Sequence, residues 1–143
     1  MPLIATPLAR TVIGCAIDVH RVLGPGLLES VYGRCLAYEF ATHGLTFQRQ
    51  VPLPVSYKGL HMGCGYRLDF VLEGRLVVEL KTVERLLRVH NAQALTYLKL
   101  SGARQALLIN FHAPVLRRGI RRQGLSQRCI AGRQARGGDR VTG

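Results

Sequence analysis

Two apolar, strand-like stretches, residues 66–72 and 76–81, each carry one carboxylate among large hydrophobic side chains, Asp69 in the first and Glu79 in the second. Only Glu73-Gly74-Arg75 separates them, so they form a hairpin, and side chains alternate between its faces. Loop length decides which side chains share a face. A two-residue loop at Glu73-Gly74 puts Asp69 with Leu76, Val78 and Leu80 and mixes charge with apolar bulk on both faces. A three-residue loop pairs Asp69 with Glu79 and gathers Tyr66, Leu68, Phe70, Leu72, Leu76, Val78 and Leu80 on one core face. The other face then holds Arg67, Asp69, Val71, Val77, Glu79 and Lys81. Gly74 tolerates the positive φ that such a loop requires.

Opposed carboxylates with β carbons about 5 Å apart repel unless a cation or a proton lies between them. Two hard oxygen donors suit magnesium, with manganese as an alternative, and the Leu80 backbone carbonyl is a further candidate ligand. Lys81 is placed to stabilise developing negative charge. The competing reading, equally compatible with spacing alone, is an exposed strand face with an ordinary ion pair.

The rest of the chain surrounds this hairpin with alternating elements. Apolar residues from Leu8 to Leu23 recur at helical spacing behind Thr6 and Pro7, an N-cap and first-turn pair. Gly24-Pro25-Gly26 breaks that helix, and a second pattern runs from Leu27 through Val31, Cys35 and Phe40 toward Gly44. Residues 47–57 read as a strand whose Pro52 and Pro54 favour a sheet edge. A helix is expected from about Val83 to Ser101, closed by Gly102, and a last strand over 106–111. The order is helix, helix, three strands, helix, strand: an α/β (α+β) class, with helices flanking a small mixed sheet.

Composition narrows the partners. The 143-residue chain carries a formal charge of +12, which favours nucleic acid. Residues 117–143 hold eight Arg against Asp139. The expected organisation is one domain over residues 1–123 and a basic, disordered tail over 124–143. Cys15, Cys35, Cys64 and Cys129 lack the paired spacing of a zinc or redox motif, and the five histidines show no ligand spacing. Of these, His90 stands three residues before Gln93, where a structural hydrogen bond is the favoured role. No apolar run reaches membrane-span length and no signal-peptide layout opens the chain, so a cytoplasmic protein without a membrane partner is expected.

Asp69 followed by Glu79-Leu80-Lys81 resembles the split motif of PD-(D/E)XK nucleases, with Leu68 where the name-giving proline would stand. Residues 26–32, Gly-Leu-Leu-Glu-Ser-Val-Tyr, resemble the motif of the small bacterial GxxExxY proteins, and Gln93-Ala94-Leu95-Thr96-Tyr97 is similar to the QxxxY motif of RecB-type exonuclease domains. The likeness runs from about Leu8 to Arg122. It implies a restriction-endonuclease-like αβββαβ core with the site on the polar sheet face, magnesium as cofactor, and phosphodiester hydrolysis; a nucleic-acid substrate is expected, with DNA favoured over RNA. It also implies Glu29 as a third metal carboxylate, and Tyr32, Gln93 and Tyr97 as substrate-binding or orienting residues. Arg67, Arg85, Arg88 and Lys99 are candidates for phosphate contacts, and a homodimer is compatible with these readings. A catalytically silent nucleic-acid-binding or assembly module with the same fold is the alternative.

Overall fold

The computed structural model describes residues 6–124. Apart from Gly124, which ends a strand, the expected tail lies outside the described residues. The elements run α1 (Pro7–Leu23), α2 (Glu29–Thr42), β1 (Phe47–Tyr57), β2 (Leu60–Leu72), β3 (Leu76–Lys81), α3 (Arg88–Ser101), β4 (Gln105–Asn110), a 3-10 turn (Leu116–Gly119) and β5 (Ile120–Gly124). The five strands form one mixed sheet in the order β1-β2-β3-β4-β5. β3 and β4 are parallel and the other neighbours antiparallel, because α3 supplies the crossover that a parallel pair needs. This is the expected α/β class, with one strand more than the sequence pattern suggests. Among the described residues, no helix is long and apolar enough to cross a membrane.

Local chemistry sets the element ends. The Thr6 hydroxyl accepts from the Ala9 N–H at 3.1 Å, and Pro7 occupies the first turn of α1. α3 starts at Arg88, five residues later than its apolar pattern suggests. The preceding segment is tied elsewhere: buried Asn110 accepts from the Val83 N–H at 3.1 Å and donates to the Val83 carbonyl at 2.8 Å. The His90 ring then accepts from the Leu87 N–H at 2.8 Å, which makes it the structural cap of α3. β5 escapes a reading by periodicity, because Arg121 and Arg122 interrupt any apolar alternation. Charged side chains of this kind suit a sheet edge. β1 occupies the other edge, as its prolines require.

The hairpin turns at Glu73-Gly74-Arg75, with Leu72 opposite Leu76 and Phe70 opposite Val78. Glu73 and Gly74 both have positive φ. This is the three-residue register. The division of its faces, however, differs from expectation. Phe70, Leu72, Leu76, Val78 and Leu80 pack with α1 and α2, but Leu68 joins Leu53, Val77, Ala94, Tyr97 and Leu98 in a second cluster under α3. Tyr66 is exposed. The far face is therefore not a polar sheet surface: Val51, Val71 and Val77 bury against α3 there. The change falls between Leu68 and Phe70, opposite Gln50, whose φ of 50° departs from strand geometry. Beyond that point the β1–β2 ribbon bends toward α3, aided by a register shift at Leu53/Val55. Gly65 is required at the bend, since a β carbon there would sit 1.9 Å from the Leu53 carbonyl oxygen.

Candidate active site

Asp69 and Glu79 stand where β2 leaves β3. Regular pairing extends to Phe70–Val78, and one step further side chains replace the backbone ladder. The Asp69 N–H donates to Glu79 Oε1 at 2.9 Å, and the Leu80 N–H donates to Asp69 Oδ2 at 2.8 Å. Each carboxylate thus satisfies the backbone group that the other strand leaves open. One oxygen of each is fixed by a backbone donor.

The electrostatics follow from this placement. Glu79 is 6% exposed. Burial, and next the neighbouring Asp69, push its carboxyl up to about 8, against the lowering effects of the Asp69 N–H and Lys81. Asp69 is also raised by burial, while the Leu80 N–H, Lys81, a side-chain hydrogen bond from Gln50, and Arg49 hold it down. Burial raises Tyr97 as well, with Glu79, Tyr66 and Asp69 adding to the effect. The pair is short of positive charge at neutral pH. Two hard-oxygen donors in that condition fit a divalent cation.

A cavity of about 180 Å³ opens beside Asp69, lined by Glu29, Ser30, Gly33, Arg49, Gln50, Phe70 and Leu80. Glu29, at the first position of α2, faces this space, and the Thr82 hydroxyl lies 3.5 Å from its Oε1. Among the described residues, Glu29, Asp69 and Glu79 do not converge as tightly as Cys15, Glu39 and His43, whose ligand atoms all lie within 4.8 Å of one another. That cluster joins Cys15 of α1 to Glu39 and His43 at the far end of α2 and is bound up in structure. His43 Nδ1 is 2.8 Å from the Glu39 carbonyl, and burial pushes the Cys15 thiol up to about 11.

The remaining sequence candidates divide by location. Leu80 lines the cavity and donates its N–H to Asp69. Tyr97 lies beside Glu79, its ring 5.6 Å from that of Tyr66. Gln93 is one turn away on α3, and its side chain makes no hydrogen bond among the described residues. Tyr32 is fully buried, stacked on Phe111 at 4.3 Å; its hydroxyl donates to the Gly24 carbonyl and accepts from the Leu27 N–H at 3.2 Å. It therefore fixes the turn that delivers Glu29, and does not line the cavity. Arg67, Arg85, Arg88 and Lys99 are exposed and also lie outside the cavity lining. Arg49 and Gln50, which read as ordinary strand residues in the sequence, line it instead. One signal is present: Arg49 occupies the parity of Phe47 and Val51, where a regular half-buried strand calls for an apolar side chain.

A family model described as the PD-(D/E)XK nuclease superfamily matches residues 6–123, nearly all of the described chain. No curated protein and no solved structure matches.

Proposed function

Because the chain belongs to the PD-(D/E)XK nuclease superfamily, we propose that it is a metal-dependent nuclease that hydrolyses phosphodiester bonds, with DNA as the substrate. The observation that carries this reading is the reciprocal bonding of Asp69 and Glu79 to each other's strands, which holds two carboxylates together where the strands part, with Asp69 at the cavity and Lys81 two residues past Glu79. DNA is favoured over RNA by the likeness of residues 93–97 to the RecB-type motif.

Asp69 and Glu79, with Glu29 from α2 and the Leu80 carbonyl, would hold magnesium or manganese. When bound, the cation supplies Lewis acidity and positive charge for the phosphate. The protein's own groups prepare the rest. The Asp69 and Leu80 N–H groups hold one oxygen of each carboxylate in place, so little reorganisation is needed on loading. The Lys81 ammonium offsets charge building on the phosphorus oxygens. The Tyr97 hydroxyl, beside Glu79, is a donor for a ligand oxygen, and α3 shields this side from water.

The test is cleavage of plasmid and single-stranded DNA across a magnesium and manganese titration, for the wild type, Glu79→Ala and Lys81→Ala. Both substitutions should abolish cleavage, while Lys81→Ala retains manganese binding by calorimetry. Cleavage that survives both overturns the site. A wild type that binds DNA without cutting it under any metal condition would make the protein a binding module.

A further inference from the structure

The cavity beside Asp69 is not purely acidic. Arg49 lines it together with Glu29 and Asp69, yet among the described residues its guanidinium makes neither an ion pair nor a hydrogen bond. A guanidinium next to two carboxylates ordinarily closes on one of them, because a forked pair satisfies several donors at once. Two features hold it back. Its Cζ lies 5.4 Å from the centre of the Phe70 ring, a cation–π arrangement. On the other side it rests on α2 at Gly33, where a β carbon would come within 3.2 Å of its Nη2. Position 33 thus has little room for any side chain under the guanidinium.

The backbone explains how the arginine arrives there. In a regular strand, adjacent residues point to opposite faces. Gln50 has a φ of 50°, and with this break Arg49 and Gln50 both line the same cavity. Gln50 bonds to Asp69. Arg49 keeps its donors free at the mouth. A cavity that combines carboxylates suited to a cation with an uncommitted guanidinium is complementary to an anion bearing several hard oxygens.

We propose that Arg49 is the phosphate-binding residue of this site, forking onto non-bridging oxygens of the phosphodiester that the carboxylates address. The assignment rests on the nuclease reading and places the principal contact inside the cavity, apart from the four exposed cations suggested by the sequence.

The test uses the full chain with Glu79→Gln as a common background that does not cut. Binding of a short fluorescein-labelled DNA is followed by anisotropy over roughly 50 to 200 mM salt. Arg49→Met keeps the aliphatic stem against Phe70 and removes the charge, and Arg67→Met is the control outside the cavity. Arg49→Met should weaken binding about tenfold at low salt and reduce the slope of log affinity against log salt by about 0.9, the loss of one phosphate contact. Arg67→Met should change affinity less than Arg49→Met does. With Glu79 intact, Arg49→Met should bind manganese at least as tightly as wild type, since a cation has been removed from beside Asp69. An Arg49→Met protein with unchanged DNA affinity and slope overturns the assignment and leaves the nuclease reading standing. So does a joint fall in melting temperature and manganese affinity with no change in salt slope, which marks a structural brace. If the background protein binds no DNA, both readings fall.

Discussion

Glu79→Gln should stabilise the metal-free protein progressively as pH rises, against the usual cost of altering a buried polar residue. The Glu79 carboxyl moves from an ordinary value of 4.5 to about 8, chiefly because burial strips water from its charged form and then because Asp69 repels that charge. A folded-state pKa raised in this way means that the native protein holds the proton more tightly than the unfolded chain. The associated stability is complete below pH 4.5 and is lost as pH climbs through about 8. At about 1.4 kcal/mol per pH unit, a rise from pH 5.5 to 8 removes at most about 3 kcal/mol. For a domain of this size, that is about 10 °C in melting temperature.

Glutamine has no proton to lose, and its side-chain carbonyl can still accept the Asp69 N–H that Glu79 Oε1 accepts at 2.9 Å. Its melting temperature should therefore fall less across this interval. Every other titratable group is common to both proteins and cancels in the difference. The measurement is thermal unfolding by circular dichroism in chelator, from pH 5.5 to 9. The wild-type curve should drop away from the variant's as pH rises, and manganese should restore the wild type while leaving the variant unmoved. Parallel curves in chelator would refute the reasoning, because they would mean that Glu79 ionises without penalty in the folded protein.

Tyr32→Phe removes the hydroxyl that bonds both the Gly24 carbonyl and the Leu27 N–H, so it should cost about 1–3 kcal/mol in urea unfolding. Manganese affinity should also fall several-fold by calorimetry, because the loosened turn carries Glu29. Gly65→Ala places a β carbon 1.9 Å from the Leu53 carbonyl oxygen, a backbone atom that cannot step aside. It should destabilise the protein by about 3 kcal/mol, at the upper end for overpacking, with a denaturation midpoint close to wild type counting against the bend as drawn.

The register of the carboxylates is legible in the sequence because only one loop length separates apolar from charged positions over residues 68–81, and the chain turns with that loop. The helix-breaking Gly24, whose φ is 70°, is legible for a similar reason: few residues adopt such a conformation. Features decided by distant partners are not. The late start of α3 depends on Asn110, 27 residues away from Val83, and nothing local marks that pairing. β5 lacks an apolar face of its own, and its place is set by antiparallel pairing with β4 at residues such as Leu107 and Ile109. Strict alternation puts Leu68 in the wrong cluster because it assumes a strand that never bends.

That failure and the site have the same cause. Among the described residues, three non-glycine residues have positive φ: Lys58 and Glu73 in tight turns, and Gln50 inside a strand. Gln50 lies across from Asp69, where β2 also gives up its ladder to β3. A continuous three-stranded ladder would need each backbone group at this point for pairing and would leave the two carboxylates flat against a covered sheet. Where the strands separate, the side chains of Asp69 and Glu79 replace the missing backbone bonds, and a cavity opens beside Asp69. The β1 break admits Arg49 and Gln50 to that same space. Local irregularity at residues 50 and 69 is therefore what opens a cavity in an otherwise covered sheet, the space on which the proposed phosphate contact depends.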